Sequence, residues 1–175
     1  MIDDARERLK KRELEVDEKI LMCGFSASGM FTNRFVVLHP DRVKAATIGS
    51  PGGWPILPLE EWEGQRLNYP VGVGDLEELT GEEFDLETYI KVPQYFFIGD
   101  QDTNDSVPYS DSYDDPNRNI IINTFGSDMI KRWKKAENIY QQVGTNAEFV
   151  LYQEVGHDRT EEMKEDIIDF FKENK

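Results

Sequence analysis

The chain predicts an α/β fold: a mostly parallel sheet of about four strands with helices on both faces. Two observations carry this. Short, nearly all-apolar runs recur at 19–24, 43–49, 94–99 and 147–152, each the length of a buried strand. Helical periodicities stand between and after them, and strands that alternate with helices pack as a parallel sheet covered on both sides. At 175 residues the whole chain, 1–175, reads as a single domain with a core of useful size.

Each element has its own warrant. Residues 2–12 read as a helix, with Asp3 and Asp4 in the first turn, where the helix dipole favours acids, and Ile2, Ala5 and Leu9 on one face. The first strand, 19–24, leads into a helix over 27–38 with Phe31 and Phe35 four residues apart, stopped by Pro40. The second strand, 43–49, ends in the turn Ser50-Pro51-Gly52-Gly53. Residues 52–91 break the rhythm with the proline-rich stretch of Trp54, Ile56, Leu57 and Trp62, and are expected to form a lid-like insertion over the top of the sheet. Within it, Thr80 and Glu83 have the spacing of a capping box ahead of Phe84. The third strand, 94–99, is followed by a polar loop over 100–119. Residues 127–143 form an amphipathic helix whose stripe is Met129, Trp133, Ala136, Tyr140 and Val143, ended by Gly144. After the fourth strand, 147–152, Thr160 caps a last helix that would bury Met163, Ile167 and Phe170.

Charge narrows the function classes. The chain carries 35 acids against 20 bases, a net charge of −15, and such a surface repels nucleic acid. It suits a salt-rich cytoplasm and an ordinary acidic enzyme equally. No apolar run approaches the roughly 20 residues that span a bilayer. The polar start Met1-Ile2-Asp3-Asp4-Ala5-Arg6 is unlike a signal peptide, so a cytoplasmic protein is expected. The single cysteine, Cys23, leaves no internal disulfide and no cysteine metal cluster, and reads as a small buried hydrophobe.

In a sheet of this kind functional residues gather on the loops after the strands. Ser26 follows the first strand within Cys23-Gly24-Phe25-Ser26-Ala27-Ser28-Gly29. Asp102 follows the third within Gly99-Asp100-Gln101-Asp102, and His157 follows the fourth within Val155-Gly156-His157. A serine hydroxyl is a weak nucleophile until a base takes its proton. An imidazole can accept that proton and return it, and a carboxylate holds the imidazole in the right tautomer. Within the first loop Ser26 is preferred to Ser28, which would need a small residue where Met30 stands. Asp100 and Asp105 remain alternatives to Asp102. His39, at the end of a helix away from the strand tips, reads as structural. The run Asp100 to Asp105 resembles the start of a calcium loop, but Asp105 stands where glycine is needed and Asp111 where glutamate is needed. No metal is expected.

At these residues the chain resembles the α/β-hydrolase superfamily. Gly24-Phe25-Ser26-Ala27-Ser28-Gly29 is similar to the nucleophile elbow, and His39-Pro40-Asp41-Arg42-Val43 to the junction that follows it. Gly99-Asp100-Gln101-Asp102 with Val107-Pro108 is similar to the acid loop, and Gly156-His157 to the histidine loop. The resemblance implies a serine hydrolase of carboxylic esters that needs no cofactor. Ser26 would attack, His157 would act as base and then acid, Asp102 would orient His157, and the Ala27 N–H would help bind the oxyanion. Trp54, Ile56, Leu57 and Trp62 would line an apolar pocket for a small-molecule or lipid-like ester.

Three departures stand out. Ser28 replaces the usual second glycine, and Asp102 lies two residues further from Val-Pro than the motif places it. The strands that normally precede the elbow, with the loop that gives the second oxyanion donor, are absent, and loss of one such donor costs roughly 10²–10³ in rate. The elbow strand is then an apolar edge that must be covered, by a missing N-terminal half or by a second elbow strand across a homodimer. The alternative reading is therefore a truncated, non-catalytic remnant acting as a binding module. A calcium-dependent binding module is a weaker third.

Overall fold

The computed structural model describes residues 2–175, and its elements run in the predicted order. They are α1 (Ile2–Lys10), β1 (Ile20–Phe25), α2 (Ala27–Leu38), β2 (Val43–Gly49), the two-residue strands β3 (Glu61–Trp62) and β4 (Gln65–Arg66), α3 (Leu76–Thr80), α4 (Leu86–Tyr89), β5 (Gln94–Gly99), α5 (Asp115–Ile120), α6 (Met129–Val143), β6 (Ala147–Tyr152) and α7 (Glu161–Glu173). The four apolar runs form one parallel sheet in the order β1-β2-β5-β6. β3 and β4 pair separately as a small antiparallel hairpin.

Alternation of side chains along the strands divides the core in two. Ile48, Phe96 and Ile98 join Val36 and Val37 of α2 and Trp133, Ala136 and Tyr140 of α6 in the larger cluster. Tyr95, Phe97 and Tyr152 meet Met163 and Ile167 of α7 in the smaller one. Helices thus lie on both faces. The stripe on α6 is buried as its spacing predicts, with Val143 at its margin, and Asp128 caps the helix by accepting from the Lys131 N–H. Thr160 caps α7 in the same way through the Met163 N–H.

Several expectations change. Residues 52–91 contribute to the core itself. Trp54, Ile56, Leu57, Leu67, Val71 and Tyr89 are buried in the main cluster. Side chains this large and apolar gain several kcal/mol by leaving water, which draws the segment inward. Thr80 ends α3 rather than starting a helix, since its hydroxyl donates to the Leu76 carbonyl; the next cap is Asp85, which accepts from the Thr88 N–H. The loop 100–119 contains the start of α5, capped by Asp114. Cys23 is exposed, not buried. β1 stands at the sheet edge, and alternation puts Cys23 and Leu21 on a face where neither is covered. Among the described residues no helix is long and apolar enough to cross a membrane.

A polar chain crosses the main core. The Tyr89 hydroxyl donates to the Tyr140 hydroxyl at 3.1 Å, which donates to the Ile56 carbonyl at 2.5 Å. Burial pushes Tyr89 up to about 12. A phenol whose folded value is raised favours the folded state fully below about pH 10, its unfolded value. That contribution is lost as pH rises toward 12, because the unfolded chain ionises first. The urea midpoint is therefore expected to be flat from pH 8 to 9.5 and to fall between pH 10 and 12, and less so in Tyr89→Phe. A parent midpoint unchanged to pH 11.5 would contradict this.

Candidate active site

The carboxyl ends of β1, β5 and β6 place Ser26, Asp102 and His157 on neighbouring loops. Ser26 sits at the β1–α2 junction with φ 59° and ψ −126°, a left-handed backbone that a serine adopts only when its surroundings enforce it. Its neighbours enforce it. The Ser26 N–H donates to the Gly49 carbonyl at 2.9 Å, and the Ser26 carbonyl accepts the first helical bond from Met30. A Cβ on Gly24 would stand 2.1 Å from the Ser28 carbonyl oxygen, so only glycine admits the turn. The Ser28 hydroxyl is engaged by the backbone. Its hydroxyl donates to the Phe25 carbonyl at 2.8 Å and accepts from the Phe25 N–H at 2.9 Å, tying the helix start to the strand end.

The other two loops are brought together at Gly99. A Cβ there would meet the Val155 carbonyl oxygen at 2.1 Å, and the Gln101 N–H donates to that same carbonyl at 2.9 Å. This close approach sets the acid loop against the histidine loop. His157 Nδ1 lies 2.9 Å from Asp102 Oδ2, and His157 Nε2 lies 3.0 Å from Ser26 Oγ. The Asp102 side chain is 1 % exposed and that of His157 27 %. A carboxylate only accepts, so the ring proton sits on Nδ1 and the lone pair of Nε2 faces the serine hydroxyl. The Phe25 ring flanks the imidazole with centroids 4.9 Å apart.

Asp105, the alternative acid, has another partner. Its Oδ2 accepts from Arg132 Nη2 at 2.6 Å, and its Oδ1 accepts from the Val107 N–H. Arg132 is 1 % exposed and also donates to the Gly126 and Gly53 carbonyls, at 3.0 and 3.4 Å. It therefore ties the loop after β5 to the loop after β2. Asp100 does not reach His157 either; its Oδ1 is buried without a partner.

Ala27 is the first residue of α2, so its N–H has no partner within the helix and is free to bind an oxyanion beside Ser26. The four aromatic and aliphatic residues expected around a substrate do not line a pocket at Ser26. Trp54, Ile56 and Leu57 are at most 2 % exposed; Trp54 packs against Phe125 and donates to the Val71 carbonyl. Trp62 is half-buried on a crevice of about 170 Å³ with Phe125 and Ile139, which includes none of Ser26, Asp102 and His157. A concavity of about 620 Å³ contains His39, Asp41 and Arg42 at the opposite ends of the strands. His39 there packs against Phe35.

Sequence reasoning missed Phe25, Asn104 and Arg132 as neighbours of this site, and it named Asp105 only as an alternative acid. Arg132 was readable, because it falls on the buried stripe between Met129 and Trp133, where a charge must have a partner. Asn104 gave no signal beyond its place in a loop two residues longer than the motif.

No protein-family model matches the chain, and no curated protein matches it. Solved structures do. The chain is similar to LpqC, a poly(3-hydroxybutyrate) depolymerase from Bordetella parapertussis, with a TM-score of 0.60 and 20% identity, covering 90% of this chain and 51% of that one. It is similar to poly(aspartic acid) hydrolase-1 from Sphingomonas sp. KT-1, with a TM-score of 0.57 and 20% identity, covering 89% and 55%. It is similar to SOBER1 of Arabidopsis thaliana, with a TM-score of 0.51 and 15% identity, covering 97% and 60%. The chain thus spans little more than half the length of these proteins.

Proposed function

The chain has the α/β-hydrolase fold, and from that premise we propose that it is a serine hydrolase cleaving a carboxylic ester through a Ser26-His157-Asp102 triad. The observation that carries the reading is the seating of His157, with Asp102 on one ring nitrogen and Ser26 on the other, at 2.9 and 3.0 Å. Solved structures with this fold bear names of hydrolases, which supports hydrolysis as the chemistry. A net charge of −15 disfavours a polyanionic substrate such as poly(aspartic acid) and leaves a neutral ester as the better fit.

The steps follow from the chemistry of the groups. His157 Nε2 takes the Ser26 proton as Oγ attacks the ester carbonyl. The negative oxygen that forms is met by the Ala27 N–H and by the positive end of α2. Asp102 stabilises the imidazolium and keeps the ring in register. His157 then gives the proton to the departing alcohol, leaving an acyl group on Ser26. Water, activated by the same nitrogen, releases the acid.

A fluorophosphonate probe tests this directly, because it labels a serine activated as a nucleophile and leaves an ordinary hydroxyl unlabelled. Covalent labelling is expected at Ser26, mapped by mass spectrometry, with Ser28 unlabelled. Silence in a folded sample would overturn the reading. One observation favours the second reading, a non-catalytic binding module. β1 lies at the sheet edge with Leu21 46% exposed, and a partner strand could seat there. A probe-silent sample would support that module instead.

A further inference from the structure

The lone pair of His157 Nε2 has two donors, not one. Asn104 Nδ2 lies 2.9 Å from it, alongside Ser26 Oγ at 3.0 Å. A neutral imidazole with its proton on Nδ1 offers a single lone pair at Nε2, so the two donors share it. Asn104 is exposed, yet its backbone is pinned on both sides. Its own N–H donates to Asp102 Oδ1 at 2.8 Å, and the next residue, Asp105, is held by Arg132. The side-chain amide is therefore held at the catalytic nitrogen by the same carboxylate that holds the ring.

Resting on the serine-hydrolase reading, we propose that Asn104 is a further catalytic residue that contacts the leaving group. The atom that departs must come within hydrogen-bond reach of Nε2, because Nε2 returns the proton to it. Asn104 Nδ2 already occupies that neighbourhood. When Ser26 gives its proton to Nε2, the nitrogen becomes a donor and Asn104 loses its acceptor. The nearest replacement is the ester oxygen of the substrate. As the carbon–oxygen bond breaks, its electron pair passes to that oxygen, which takes the proton from His157 Nε2. The Asn104 N–H bonds to the same oxygen while its charge develops, when such a bond is strongest.

The test is the dependence of rate on the leaving group. Parent, Asn104→Ala and Asn104→Asp are assayed on ethyl, phenyl and p-nitrophenyl acetate, with parent labelling at Ser26 measured in parallel. Asn104→Asp keeps the shape and cannot donate. Both variants are expected to lose about tenfold in kcat/KM on ethyl acetate, the worth of one such hydrogen bond, and less than threefold on p-nitrophenyl acetate, whose leaving anion needs no donor. Equal losses on all three esters, no loss, or a gain would overturn the proposal while leaving the triad standing. A parent that is inactive on all three and unlabelled at Ser26 would overturn both.

Discussion

Ser26→Ala is expected to lower kcat on a short-chain ester by about 10⁴-fold or more, with the fold intact by circular dichroism. Single losses of the nucleophile or base in a triad reach about 10⁶. The expected floor is set lower because the Ala27 N–H is the one oxyanion donor proposed among the described residues, and one missing donor would lower the parent rate by about 10²–10³. Non-additivity is the sharper readout. His157→Ala should cost as much as Ser26→Ala, and the double variant no more than either, since the proton transfer fails once in each case. Asp102→Asn should lose about 10²-fold less than Ser26→Ala, because an amide leaves the nucleophile and base in place and misplaces one ring proton. Asp105→Asn should act mainly on stability, which decides between the two acids. Additive losses, or a Ser26→Ala variant as fast as the parent, would remove the mechanism.

The parts of the fold that were legible in the sequence are those set by local pattern. All four strands were marked by apolar runs, three of them ending in glycine (Gly24, Gly49 and Gly99), and α2, α6 and α7 by periodicity and caps. The parts that were not legible depend on what lies across the chain. Cys23 is as apolar as its neighbours, and only the position of β1 at the edge exposes it. Trp54 and Ile56 look the same in a list of residues whether they line a pocket or fill a core. Their destination is decided by the Tyr140 hydroxyl bonding to the Ile56 carbonyl and by Phe125 under Trp54, contacts that span 84 positions in the first case. The site divides in the same way. Residue types and order marked Ser26, Asp102 and His157, whereas a choice between Asp102 and Asp105 needed the partner of each carboxylate. That partner, Arg132, is 27 positions from Asp105.

Arg132→Met is expected to cost about 3–5 kcal/mol of stability, among the largest losses a single substitution in this chain should give. In the pair it breaks, Arg132 is buried and Asp105 half-buried, with side chains 1 % and 16 % exposed. Removing one partner of such a pair strands the other charge away from water. It also frees the Gly53 and Gly126 carbonyls that the guanidinium now holds. For a domain of this size the melting temperature should fall by about 10 °C. Charge, not volume, is the cause assigned, so the double variant Arg132→Met with Asp105→Leu should recover most of the loss, because no unpaired charge remains. Recovery of stability need not bring recovery of activity. Asp105 and Asp102 belong to one loop, and Arg132 anchors it from outside, so the double variant should regain its urea midpoint while kcat on esters stays below that of the parent. If the Arg132→Met midpoint matches the parent, the pair contributes nothing. If the double variant is as unstable as the single, the cost lies in packing around the guanidinium and not in a stranded carboxylate.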